Sequence, residues 1–158
     1  MRLIRILVVP ALLVAASCDP SINGDGGNGI DPVFPANYRT SFTEVRDCRF
    51  SIEHSGFMIR VLANEVAREA YLNDENPLPL GSVLLKEEYE GVDCADDASL
   101  VQWRVMRKES AGFDSDDGDW QWQRVLAGRE VVEGTKASCI GCHRVTECLQ
   151  RDYQCTLP

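Results

Sequence analysis

Phe57-Met58-Ile59-Arg60-Val61-Leu62-Ala63 decides how this chain folds. At the two-residue period of a strand, Phe57, Ile59 and Val61 share one face, and Met58, Arg60 and Leu62 share the other. Both faces are mostly apolar. The segment is therefore expected to be a central strand packed on both sides, with one base, Arg60, among apolar neighbours. Asn64 follows and can cap a short helix over Glu65–Leu72, with Glu65 in its first turn. Asn73–Pro79 breaks that helix.

The two-residue period recurs downstream. In Gly81–Tyr89, Val83, Leu85, Glu87 and Tyr89 share one face, and Ser82, Leu84, Lys86 and Glu88 the other. Leu100–Lys108 puts Val101, Trp103 and Val105 on one side. Trp120–Leu126 alternates for its first four residues. Gly91–Ser99 and Ser110–Asp119 read as acidic loops between these strands, and Glu130–Ala137 as a short helix or turn. The expected fold is α+β, a predominantly antiparallel β-sheet with a few short helices.

Upstream the composition changes. Met1–Arg5 is basic, Ile6–Val14 is apolar, and Ala15-Ala16-Ser17 offers small residues for cleavage, so residues 1–17 read as a signal peptide. Cys18 directly after them resembles a bacterial lipoprotein processing site. Such sites usually carry leucine three residues earlier, where this chain has Ala15, so ordinary signal cleavage is the alternative. Residues 18–37 carry Gly24, Gly26, Gly27, Gly29 and three prolines, and read as a lipidated cysteine and a flexible tether. Residues 38–158 are the expected domain. It would be exported to the periplasmic side or cell envelope and touch a membrane only through its lipid anchor.

Near the other end stands Cys139-Ile140-Gly141-Cys142-His143, the C-x-x-C-H attachment signature for a c-type haem. Two thiols can add to the two vinyl groups of one porphyrin, and the adjacent histidine then reaches its iron. The alternatives are a zinc site completed by Cys148 and Cys155, or a redox disulfide. Setting aside Cys18, Cys139 and Cys142 leaves four of the seven cysteines. In an oxidising compartment these are expected to pair, with Cys48–Cys94 and Cys148–Cys155 favoured among three connectivities and free buried thiols as the alternative.

The 158 residues suffice for one domain with a modest core. The net charge of −9 argues against nucleic acid or an anionic membrane surface and suits a basic redox partner protein. No methionine or histidine follows His143. A sixth iron ligand would have to come from His54, Met58, Met106 or a lysine. His54 reads as a half-buried strand histidine and the methionines as core, so the distal side is expected to be open to small ligands. The two-residue period argues against a helical bundle around that haem.

The chain resembles the cytochrome P460 family, which includes the β-sheet cytochromes c′. The likeness runs from about Tyr38 to the C-terminus. It rests on Arg60–Asn64, Pro77–Glu87, Met106-Arg107-Lys108, Gly118-Asp119-Trp120, Cys139–His143 and Arg151-Asp152-Tyr153. The resemblance implies one haem c, with His143 as its iron ligand and an open distal site. In one branch a lysine joins the porphyrin edge and the enzyme oxidises hydroxylamine. Lys86 matches that lysine best, with Lys108 as runner-up. In the other branch the link is absent and an apolar pocket binds nitric oxide. Arg60 and Lys86 are then the expected helpers of catalysis at the cavity wall, with a carboxylate from Asp114, Asp116 or Asp117. Phe113 would suit the gas-binding pocket. Plain electron transfer is the third reading, and a homodimer stays open.

Overall fold

The computed structural model describes residues 29–132 and 135–155. The expected signal peptide and Cys18 lie outside them. The elements are β1 (Phe42–Ser51), β2 (Phe57–Asn64), α1 (Glu65–Leu72), β3 (Val83–Tyr89), β4 (Leu100–Lys108), β5 (Trp120–Leu126), β6 (Val131–Val132), α2 (Thr135–His143) and α3 (Thr146–Leu149). The six strands form one sheet in chain order, each antiparallel to the next. The fold is thus α+β and mostly β, as the two-residue period led one to expect. The opening stretch is an interior strand, between β1 and β3.

Asn64 shows why the helix starts where it does. Its Oδ1 accepts the Ala67 N–H at 3.1 Å, which caps α1, and the Val83 N–H at 3.0 Å. Its Nδ2 donates to the Gly81 carbonyl at 2.9 Å. One side chain therefore sets both the helix start and the entry into β3.

β1 was not legible in the sequence. Its run Phe42-Thr43-Glu44-Val45-Arg46-Asp47-Cys48-Arg49-Phe50-Ser51 has few apolar residues, and two register shifts break its alternation against β2. Charges and bulges are what an edge strand needs to resist pairing with another chain. Cys48 on β1 is bonded to Cys94 in the β3–β4 loop, with 5.8 Å between their Cα atoms. A crosslink closing a loop of that length stabilises by about 4 kcal/mol in the chain-entropy account.

Both faces of the sheet are covered. One face carries Val61, Ala63, Leu84, Met106 and Trp122, packed by α1 and by Cys139 and Ile140 of α2. The other carries Leu62, Val83, Leu85, Trp103 and Val125, packed by Phe34 and Tyr38. The second cover draws the last residues of the expected tether against the sheet; residues 18–28 lie outside the described residues. Phe34 is 3% exposed. The Val33 N–H donates to Gln123 Oε1 at 2.9 Å, and Gln123 Nε2 donates to the Asp31 carbonyl at 3.0 Å. The glycine-rich composition hid a segment whose Phe34 seals one face of the core.

Candidate functional site

α2 carries the C-x-x-C-H run. Thr135 anchors its start: its hydroxyl donates to the Val132 carbonyl at 2.6 Å and accepts the Arg124 N–H at 3.2 Å. The helix packs on β5. Cys139, Cys142 and His143 fall at i, i+3 and i+4 of one helix, so they share a side of it. Both cysteines are free thiols, Cys139 partly buried and Cys142 exposed. Burial pushes the Cys139 thiol pKa up.

His143 is held in one tautomer. Its Nδ1 lies 2.7 Å from the Tyr153 carbonyl and donates to it, which leaves Nε2 with a lone pair. Burial pushes the imidazole pKa down to about 4, against the opposing pull of that hydrogen bond. A neutral imidazole with one nitrogen occupied and the other free is the form that binds a metal. Trp122 stacks edge-on against the ring, with 4.9 Å between centroids.

Several stretches that marked the family resemblance converge behind Tyr153. Cys148 is bonded to Cys155, closing the tail around it. Asp152 accepts from Lys108 Nζ at 2.7 and 2.8 Å and from the Leu78 N–H at 3.0 Å. The Tyr153 hydroxyl donates to the Asp116 carbonyl at 3.1 Å. The Tyr153 ring covers Gly118, where an added Cβ would stand 2.5 Å from it and where φ is +66°. Only glycine fits that position without strain. Lys108, Gly118, Asp152 and Tyr153 thus form a bracket that fixes the carbonyl facing His143.

His143, Cys139 and Cys142 border a cavity of about 870 Å³, of the size that holds a cofactor. Its sheet wall includes Ile59, Val61, Leu84, Met106 and Lys86. Across it lie Arg46 and Arg49 of β1 and His54 of the β1–β2 turn. Lys86 Nζ is 2.7 Å from His54 Nε2, and His54 Nδ1 is 2.6 Å from Glu88 Oε1. Glu88 is fully buried and also accepts from Gln102 Nε2 at 2.5 Å. The consistent proton assignment has Lys86 donating to Nε2 and Nδ1–H donating to the carboxylate. Burial pushes the Lys86 ammonium pKa down to about 8; Glu88 opposes this, and the Arg46 and Arg49 charges add to it. Burial alone would raise the Glu88 pKa, but the His54 hydrogen bond, the Arg104 charge and Gln102 outweigh it and hold it low.

Lys86 therefore stands at the cavity, but Arg60 does not. β2 pairs with β3 so that Val61 faces Lys86 and Arg60 faces Glu87. Arg60 lies on the opposite face, where it binds Glu87, and its Nη2 donates to the Tyr89 hydroxyl at 2.8 Å. Its place at the cavity wall is corrected by the register. Asp114 and Asp117 do not supply a cavity carboxylate either. They pair with Lys136, and Asp117 also pairs with Arg144, which fastens the ends of α2. Phe113 is exposed. His54 is a turn residue rather than a strand residue, and joins the cavity because the turn folds over it. The sequence held no signal for the His54–Glu88 pair, whose members are 34 residues apart.

Two free thiols, a neutral histidine with an available nitrogen and a mostly apolar cavity fit a haem in size and in donor chemistry. That combination defines a class, the haem-binding cytochromes. The family model described as Cytochrome P460 matches residues 35–155. The chain belongs to the cytochrome P460 family and is a c-type cytochrome with a haem cofactor. None of the curated proteins compared with the chain matches it.

Proposed function

We propose that this protein is an exported monohaem cytochrome that carries haem c through thioethers at Cys139 and Cys142, with His143 on the iron, and oxidises hydroxylamine. The observation that carries the reading is the chain Lys86–His54–Glu88, which ends in an amine at the cavity. When bound, the haem supplies a redox centre with a coordination position that a small nitrogen compound can occupy. Oxidation of hydroxylamine releases protons with its electrons, and the electrons pass to a redox partner protein. Lys86, its pKa lowered to about 8, can take up a proton in its neutral form, the fraction of which grows as pH rises toward 8. It hands that proton to His54 Nε2, whose side chain is 18% exposed and so reaches solvent. Glu88 keeps Nδ1–H turned inward, so that Nε2 remains the acceptor. Ile59, Val61 and Leu84 keep water from the wall beside the amine.

The second reading is nitric oxide binding without turnover, favoured by the same apolar wall. Hydroxylamine-dependent reduction of an artificial electron acceptor separates the two. Turnover supports the enzyme; a nitric oxide spectral change without turnover supports the binder. A low-spin ferrous spectrum that ignores nitric oxide would sink both. The resemblance also implies that Lys86 joins the porphyrin edge; peptide mass spectrometry that releases Lys86 unmodified would remove that link. Export and lipidation at Cys18 belong to the same proposal, supported by two disulfides that require an oxidising compartment. Intact-mass analysis of the membrane fraction tests them.

A further inference from the structure

Arg46 and Arg49 are three residues apart on one strand, a spacing that ordinarily puts two side chains on opposite faces. Here it does not. Arg46 pairs with Val61 and Arg49 with Ile59, so three steps along β1 match two along β2. The extra residue is a bulge, and its effect is to aim both guanidinium groups into the cavity that Val61 and Ile59 also line.

Both groups end in unpaired donors. Arg46 Nη1 and Arg49 Nη2 are buried and have no hydrogen-bond partner among the described residues. Tyr71 engages Arg46, yet that nitrogen stays unpaired. The other charged groups acting on them are Lys86 and Arg151, also cations, and Asp47, which does not form an ion pair with either; Glu53, Glu147 and Arg104 line the same cavity. Burial, and for Arg49 the neighbouring Arg46 charge, weakens the hold on their protons. Two close cations with buried, unsatisfied N–H groups are a costly arrangement in a closed core. They become favourable when an anion with several acceptor oxygens sits between them, because the guanidinium fork matches a carboxylate in geometry and charge.

We propose that Arg46 and Arg49 form a carboxylate clamp that receives the propionate groups of the tetrapyrrole. This inference rests on the haem reading above and deepens it. The clamp would neutralise the propionates inside the cavity. A free oxyanion such as nitrite offers the same chemistry from a different source, so the test separates the two.

The test uses holoprotein: wild type, the pair Arg46→Gln with Arg49→Gln, and the pair Arg46→Lys with Arg49→Lys. Covalent haem in each is checked by haem staining of a denaturing gel. The reduction potential is measured by spectroelectrochemistry and the propionate bending modes by resonance Raman spectroscopy. The glutamine pair is expected to show a lower potential and shifted propionate modes, because buried positive charge has gone. The lysine pair is expected to regain the potential while the modes stay shifted, since it keeps the charge and loses the fork; a misfolded variant would not do so. Haem-loaded glutamine protein with unchanged potential and modes would overturn the clamp. So would nitrite binding to wild type that the glutamine pair loses while the propionate modes do not move. Absence of covalent haem from wild type would instead fell the haem reading beneath it.

Discussion

Glu87 and Glu88 are neighbours on β3, both are fully buried, and they face opposite sides of the sheet. Glu87 accepts from the Tyr38 hydroxyl, from Arg60, from Tyr89 at 2.6 Å and from Arg39 at 3.0 Å. Its network is closed: every oxygen is satisfied and the ring of partners leads nowhere. Glu88 begins a chain that runs through His54 to Lys86 and stops at a cavity. The same residue type, one position apart, ends in a closed network in one case and in a chain that reaches a cavity in the other. The difference lies in whether the last group of the network has a partner or faces open space.

Breaking the open chain should have the largest effect. Lys86→Met is expected to lower hydroxylamine turnover roughly 100- to 10,000-fold, the usual span for losing a general base. In wild type the rate should rise with pH and level above about 8, because Lys86 accepts a proton only when neutral. A steady-state assay across pH with an artificial acceptor measures both. Unchanged rates would show that the chain carries no protons.

The closed network is predicted to answer in stability instead. Glu87→Gln leaves the Arg60 and Arg39 charges without their buried partner and should cost about 3 kcal/mol, the lower end of the range because both arginines keep some solvent contact. Urea denaturation reads that loss, while the haem spectrum should stay as in wild type. A matching loss of turnover would erase the contrast between the two faces.

Gly118→Ala tests the bracket on the cavity side. It forces a Cβ into the Tyr153 ring at a backbone angle suited to glycine. A loss of about 2 kcal/mol is expected, along with a changed ferrous spectrum as the carbonyl facing His143 shifts. Spectra and denaturation curves of the same sample check it.

The mildest effect is the acid limb of stability. Burial alone would raise the Glu87 and Glu88 pKa values, but their hydrogen bonds and neighbouring cations outweigh it and depress both. A depressed carboxylate stabilises the fold fully above its unfolded pKa of about 4.3 and loses that contribution as pH falls through the lower folded value. Thermal melting should therefore stay level near neutrality and decline below about pH 4. In Glu87→Gln that decline should be shallower.

Much of this was legible because periodicity is local. Alternation of apolar residues marked β2, β3, β4 and β5, and Asn64 marked the start of α1, since a strand face and a helix cap each depend on a few adjacent residues. β1 escaped because it is a charged, bulged edge. Phe34 escaped because a single aromatic in a glycine-rich run has no period to announce it. Arg60 was misplaced because a strand shows that neighbours alternate, but not which face becomes the cavity.

The sequence alone determined that two cysteines and a histidine would stand on one side of one helix, because their spacing is the geometry. It also determined that Glu87 and Glu88 would part company. Tertiary structure decided which of the two would connect to the cavity. The β2–β3 register put Lys86 beside Val61, the bulge turned Arg46 and Arg49 to the same side, and the folded-over turn brought His54 between Glu88 and Lys86. Those choices depend on partners many residues away, which no local pattern in the sequence records.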